Sequence, residues 1–209
     1  MTAEEVSSFL RAVLDSEHYK GYFPVFLCFI HTGLRAGELV GLAWEDLNFT
    51  NKFMMVRRSI DNGTINLTKK SKLRRVDMSD ALVETLQALK KTRMEQWLAQ
   101  GKNEIPRWVF CNQKGGFLDA NNLRNRALHK CLDAARIKRN SIHCLRHTFA
   151  SLLIQNGESL VYIKEQMGHS SIKVTVDVYG HLVPGANRQA VNKLPVAGTG
   201  TSDAISHSM

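Results

Sequence analysis

Three observations predict a mainly helical α+β fold with one small antiparallel β-sheet. Apolar residues recur at helical spacing near the start of the chain (Val6, Phe9, Leu10, Val13, Leu14) and again in most segments after Asp119. Between these regions the pattern becomes strand-like, at Phe53–Ile60, Thr64–Thr68 and Arg74–Met78. The 209 residues are 44% apolar, enough for a proper core. One domain is expected over residues 1–194. The Gly/Ser/Thr-rich tail, 195–209, is expected to be disordered.

Each element has a local cause. Thr2 and Glu5 form a capping box for the first helix. Tyr22–Thr32 is an apolar run long enough for a buried helix, and Gly33 can end it as a C-cap. Arg35–Leu42 reads as a short second piece, with Trp44, Asp46 and Leu47 in the turn after it. Asp61-Asn62-Gly63 is a hairpin turn signal, and a second turn, Lys69–Leu73, is crowded with lysines. Ser79 can cap a long helix that places Leu82, Leu86, Leu89 and Trp97 on one side. Trp108-Val109-Phe110 reads as a short buried strand. Helices are then expected from Asp119 to about Ile137, from near Ser141 to Gln155, over Leu160–Met167 with Gly168 closing it, over Ile172–Tyr179, and over Ala186–Lys193.

The net charge is +9, and it is patterned. From Asn51 to Arg75 eight basic residues face only Asp61. A second run holds Arg124, Arg126, Lys130, Arg136, Lys138, Arg139 and Arg146 against Asp133. Such a surface suits phosphates, although a solvated basic face has the same signature. The four cysteines (Cys28, Cys111, Cys131, Cys144) form no CxxC pair and no zinc spacing, and free thiols fit a reducing cytoplasm. The N-terminus has no signal-peptide pattern, and no apolar run approaches roughly twenty residues, so no membrane partner is expected.

Five patches carry chemical groups. In Thr32-Gly33-Leu34-Arg35-Ala36-Gly37-Glu38-Leu39, Glu38 lies one turn after Arg35 and can hold its guanidinium. The turn Lys69-Lys70-Ser71-Lys72 is a lysine-rich hairpin tip that could reach a phosphate. In His143-Cys144-Leu145-Arg146-His147, positions 143, 146 and 147 share one helix face, which suits an anion. A metal reading of His143, His147 and Cys144 lacks a carboxylate or further ligand. His147 is the histidine expected to be buried and structural. His169 sits in the turn Gly168-His169-Ser170-Ser171, where Ser170 or Ser171 can cap the next helix. Tyr179 ends the fifth patch beside Gly180-His181.

In this order, TGLRAGEL, a lysine hairpin, HCLRHTFASLLIQNG, MGHSSI and VYGHL resemble the tyrosine recombinases, the phage and mobile-element integrases and their relatives. The likeness runs from about Thr2 to Lys193. It implies a catalytic domain that cleaves and rejoins DNA through a covalent 3′-phosphotyrosine, in integration or excision, without metal, ATP or other cofactor. Arg35, Lys69, His143, Arg146, His169 and Tyr179 match the catalytic positions. Lys70 and Lys72 stand close enough to Lys69 to share its assignment, and Glu38 matches the acidic support of Arg35. Cys144 departs from the acidic residue that relatives often carry. Lys70, Lys72, Arg74, Arg75, Arg124 and Arg139 are the expected DNA contacts.

The set makes chemical sense. Two arginines can donate paired hydrogen bonds to the non-bridging oxygens and stabilise the transition state. A tyrosine with an ordinary pKa of about 10 needs neighbouring positive charge and a base. His143 is the candidate base, His169 would orient the phosphate, and Lys69 would protonate the leaving 5′ oxygen. The resemblance further implies a double-stranded DNA partner, a monomer when free, a homotetramer on DNA, and action at the nucleoid of a bacterial or phage-infected cell. A C-terminal helix over Ala186–Leu194 could dock on a neighbour or lie on the surface of its own chain. A topoisomerase-like or telomere-resolving enzyme would use the same chemistry, and a non-catalytic DNA-binding module would keep the fold without needing the complete set. The family's N-terminal DNA-clamping domain is expected to be absent from this chain. DNA binding by the chain alone should therefore be weak and fall steeply with salt, with a log–log slope of about −0.9 per phosphate neutralised, measurable by fluorescence anisotropy; a slope near zero would contradict it.

Overall fold

Helix α1 (Ala3–Asp15) starts where the capping box predicts, with Thr2 Oγ1 accepting from the Glu5 amide at 3.2 Å and Glu5 accepting from the Thr2 amide at 2.8 Å. The computed structural model describes residues 1–61, 63–67, 73–119 and 122–183. The lysine turn Lys69, Lys70 and Lys72, the Ala186–Lys193 segment, the residue-194 boundary and the 195–209 tail lie outside the described residues.

Helix α2 (Phe23–Thr32) runs through the core, and Val25 to Ile30 are all buried. It packs against α1 and two later helices, so no solvated face remains. Each large side chain buried there contributes about 1.5–3 kcal/mol. Gly33 ends α2 in the left-handed conformation, φ 59°. A Cβ at this position would overlap the Phe149 ring. Helix α3 (Ala36–Val40) follows at once, so Arg35 sits in the corner between the two.

The sheet region departs from the expected single sheet. Strands β1 (Leu47–Asn48), β2 (Phe53–Val56) and β5 (Arg74–Asp77) form one antiparallel sheet, ordered β1-β2-β5. Strands β3 (Arg58–Asp61) and β4 (Thr64–Leu67) form a separate ribbon. The run expected as one strand, Phe53–Ile60, is interrupted at Arg57. Arg57 and Arg58 both reach the buried Asp46 carboxylate, at 3.1 and 2.7 Å. Consecutive side chains of a straight strand point to opposite faces, so this shared carboxylate requires the break. In the β2–β5 register, Met54 pairs with Val76 and Val56 with Arg74, which puts Arg74 on the sheet's inner face.

Helix α4 (Asp80–Leu98) is capped by Ser79 as expected. Trp108, Val109 and Phe110 are buried, but they make one isolated bridge, Ala43 to Trp108, rather than a strand. The helix expected from Asp119 to Ile137 is a π-helical turn, Leu123–Leu128, leading into α5 (His129–Ala134), and it stops before Arg136, whose φ is +59°. Three α-helices follow, α6 (His143–Gln155), α7 (Leu160–Met167) and α8 (Ile172–Tyr179), and a 3-10 turn, Gly180–Leu182, comes after them. Phe149, Ala150, Ile154, Ile163, Met167 and Tyr179 form a second, smaller core between them. No helix among the described residues is long and apolar enough to cross a membrane.

Gly33→Ala should test the tightest point of this packing. The left-handed conformation alone costs a β-carbon residue about 1–2 kcal/mol, and displacement of Phe149 adds to it. Urea denaturation should show a loss above about 2 kcal/mol; an unchanged midpoint would contradict the geometry.

Candidate active site

Three guanidiniums converge on the last turn of α7. Arg74 Nε donates to the Gln166 carbonyl at 3.1 Å, Arg146 Nη2 to the Met167 carbonyl at 2.7 Å, and Arg35 Nη2 to the Gly168 carbonyl at 3.3 Å. A helix C-terminus offers unpaired carbonyls and partial negative charge, so it attracts cations. Arg146 also donates to the Gly33 carbonyl through Nη1. It thereby ties together the glycine-capped ends of α2 and α7, whose Gly168 has φ 65°. Arg146 is buried, and burial, reinforced by Arg35, pulls its pKa down to about 10.

One carboxylate lies inside this cluster. Glu38 accepts from the Arg35 amide at 2.8 Å and from Arg35 Nη1 at 3.0 Å. Both its oxygens are also held by Arg74, at 2.8 and 2.7 Å. Burial alone would raise its pKa, but the Arg74 hydrogen bonds and charge, with those of Arg35, outweigh burial and hold it down to about 2. Three arginines and one glutamate leave the cluster with two positive charges in excess.

The expected pairing of Arg35 with Glu38 is present, and the Arg35 side chain remains 44% exposed. His169 follows Gly168, and its Nδ1 hydrogen bonds to buried Thr175 Oγ1 at 2.9 Å. Burial and then the charges of Arg146, Arg35 and Arg74 lower its pKa to about 4, so the ring is neutral near pH 7. Thr175 occupies Nδ1, which leaves Nε2 as the nitrogen open to a ligand. The cap of α8 is Ser171, not Ser170.

Tyr179 is buried at the end of α8, with its hydroxyl 2.6 Å from His147 Nδ1. Burial raises the phenol's pKa and Arg146 opposes the rise. His147 is lowered, first by burial and then by His143 and Arg146, so it favours the neutral ring that accepts the phenol's proton. His147 was expected to be buried and structural; it is only partly covered, and it is the imidazole on the tyrosine. His143, the candidate base, is exposed at the start of α6, with its ring 6.1 Å from that of His147.

The expected DNA contacts divide. Lys69, Lys70 and Lys72 lie outside the described residues. Arg74, expected as a DNA contact, is an internal group, only 13% exposed and bound to Glu38. Its parity with the core residues Val76 and Met78 was the signal that placed it inside. Arg75 is exposed, paired with Asp77 at 3.0 Å and lying over Phe53. Arg139 is exposed but forked onto Asp133 at 2.8 and 2.5 Å, which neutralises much of its charge. Arg124 is half-buried and donates to Asn125. Among the described residues no three His, Cys, Asp or Glu side chains are grouped to hold a metal ion.

The family model described as "Phage integrase family" matches residues 1–185. A tyrosine recombinase XerC-like protein of Caldanaerobacter subterraneus subsp. tengcongensis is 32% identical over 188 residues, 81% of this chain and 48% of that protein. The ICEBs1 integrase of Bacillus subtilis is 29% identical over 198 residues, 91% of this chain and 52% of that protein. The chain thus spans about half the length of the curated relatives it matches. Among solved structures, the Tn1549 transposon integrase bound to circular intermediate DNA superposes with TM-score 0.73 at 24% identity, covering 92% of this chain and 64% of that one. The catalytic domain of bacteriophage HP1 integrase superposes with TM-score 0.62 at 22% identity, covering 95% and 96%. At those identities the likeness establishes the fold.

Glu38 makes the site sensitive to acid. Its folded pKa lies below its ordinary value of 4.5, so its stabilisation is complete above pH 4.5 and is lost as pH falls towards about 2. The wild type should lose about 3 kcal/mol more than Glu38→Gln across that window, read from urea unfolding at stepped pH. Parallel curves would contradict the assignment.

Proposed function

The chain belongs to the phage integrase family, and we propose that it is the strand-cutting and strand-joining part of a site-specific DNA recombinase acting in integration or excision. The observation that carries this reading is the meeting of a buried tyrosine, its imidazole partner and a guanidinium cluster with excess positive charge. A phosphodiester repels nucleophiles because its oxygens are negative, and the cluster offsets that charge.

In the proposed reaction the Tyr179 oxygen attacks the scissile phosphorus and its proton passes to His147 Nδ1. This shifts the base from His143 to the histidine that touches the hydroxyl, with His143 as its neighbour. Arg35 and Arg146 hold the non-bridging oxygens, and His169 Nε2 donates to one of them. The bond to the 5′ oxygen breaks, and Lys69 or a neighbouring lysine supplies that oxygen with a proton. A 3′-phosphotyrosine and a free 5′ hydroxyl result. Attack by a 5′ hydroxyl of another strand reverses the steps and reseals the DNA, so the bond energy is conserved and no nucleotide is consumed.

The proposed partner is double-stranded DNA, a reading supported by the Tn1549 transposon integrase, whose solved structure is a complex with circular intermediate DNA. Exchange between two duplexes cuts four strands, so a homotetramer on DNA belongs to the proposal, with the free chain monomeric and acting on nucleoid DNA in the bacterial cytoplasm. The catalytic unit is taken as residues 1–194.

A nicked suicide duplex carrying the end sequence of the element that encodes the chain tests the reading. The wild type should form an SDS-resistant adduct, and Tyr179→Phe should form none. His147→Ala should slow adduct formation by about 10²-fold, with a smaller loss for His143→Ala. An adduct that persists in Tyr179→Phe would falsify the nucleophile, and the reverse histidine order would return the base to His143.

A further inference from the structure

Arg74 is the group in the cluster that the proposed chemistry leaves unused. It is only 13% exposed, and three of its five N–H donors are committed, two of them to a full carboxylate. Nη1 and Nη2 hold the two Glu38 oxygens, and Nε holds the Gln166 carbonyl. Glu38 meanwhile orients Arg35 through two bonds, one from the Arg35 amide and one from Nη1. A lone Arg35–Glu38 pair would be close to neutral, and a neutral pair is a poor phosphate ligand.

We propose that Arg74 is a positioning residue that takes up the charge of Glu38, so that Glu38 can orient Arg35 without cancelling it. The bidentate fork is the stronger arrangement for an arginine and a carboxylate, and Arg74 has it. Arg35 has only a single side-chain bond to Glu38 and leaves 44% of its side chain exposed for a ligand. The site then presents two uncompensated guanidiniums, Arg35 and Arg146. Gly168 fits the same arrangement, because a Cβ there would come within 2.9 Å of the Arg74 guanidinium.

The inference rests on the reading of Arg35 and Arg146 as phosphate ligands. It predicts a pattern that follows charge count. In Arg74→Met, Glu38 pairs fully with Arg35 and the excess falls from two charges to one. Adding Glu38→Gln restores two. Removing both members of the pair leaves neither Arg74 nor Glu38 buried without its partner, so the double variant should fold.

The experiment is single-turnover adduct formation at saturating suicide duplex, with the scissile group either a phosphodiester or a neutral methylphosphonate. Arg74→Met should slow the phosphodiester by about tenfold and the methylphosphonate by less than about threefold, since a neutral group needs less positive charge. Arg74→Met with Glu38→Gln should regain more than about threefold on the phosphodiester. Arg74→Lys keeps the charge, and its rate should exceed that of Arg74→Met. Equal losses on both substrates, no recovery in the double variant, or Arg74→Lys no better than Arg74→Met would overturn the charge-sharing role. If the unmodified chain gives no adduct on the phosphodiester while remaining folded by circular dichroism, the recombinase reading itself fails.

Discussion

The site depends on the grip of Arg35, Arg74 and Arg146 on three consecutive carbonyls at the end of α7. Like charges do not gather without cause. Each guanidinium is strongly hydrated in the unfolded chain, and burying Arg146 among two others is costly enough to pull its pKa down to about 10. What offsets the cost is geometry. The last carbonyls of a helix have no amide partners within the helix, and their dipoles point the same way. Glu38 adds one full negative charge. The rest of the positive charge is left without a carboxylate, which is the condition that an anion would relieve.

Two helix ends make that grip possible, and both require glycine. Gly33 and Gly168 turn the chain sharply after α2 and α7, and the carbonyls of Gly33 and Met167 then face the same guanidinium. Because α2 is buried along its length, its C-terminus is fixed by the main core. Arg146 carries that rigidity to α7, which belongs to the smaller core. Strand β5 supplies a further tie: the Asp77 amide donates to Gln166 Oε1 at 2.8 Å, next to the Arg74 contact with the Gln166 carbonyl. Side chains of the candidate site from the start of α3, from α6, the α7 turn and α8 are thus registered by a few polar contacts between stiff elements, the arrangement that precise positioning demands.

Local chemistry was legible in the sequence wherever one residue and its near neighbours decide the outcome. Thr2 with Glu5, Gly33, Arg35 with Glu38, Ser79 and Gly168 all act within a few residues of themselves. The break at Arg57 was not legible, because it depends on Asp46, eleven residues back and brought near by tertiary folding. The π-helical turn at Leu123–Leu128 has no sequence signature of its own. Which histidine of α6 touches Tyr179 was not legible for a similar reason. Helical spacing puts His143 and His147 on one face, but only the docking of α8 decides which meets Tyr179, 32 residues away from His147. Arg74 was legible in part. Counting by twos from Val76 places it inside, yet its surroundings of lysine and arginine argued for the surface.

The helix that carries the tyrosine cannot stand by itself. Five of the eight residues of α8, Ile172, Val174, Thr175, Val176 and Val178, are β-branched, and their alternation with polar groups is a strand pattern. Only Thr175 and Tyr179 are buried, while Ile172 and the three valines stay exposed. Eight residues are too few to be stable as an isolated helix, so tertiary contacts must hold α8 in shape. The two buried residues provide them, four positions apart on one face, and each ends in a hydrogen bond to a site histidine: Thr175 to His169 and Tyr179 to His147. The imidazoles therefore do two things at once. They fix the helix that bears the hydroxyl, and one of them, His147, touches that hydroxyl directly. Protonation of either histidine would add charge beside Arg146 and disturb its bond to α8. The lowered pKa values of both rings, set first by burial and then by their charged neighbours, keep the neutral forms that this double duty requires.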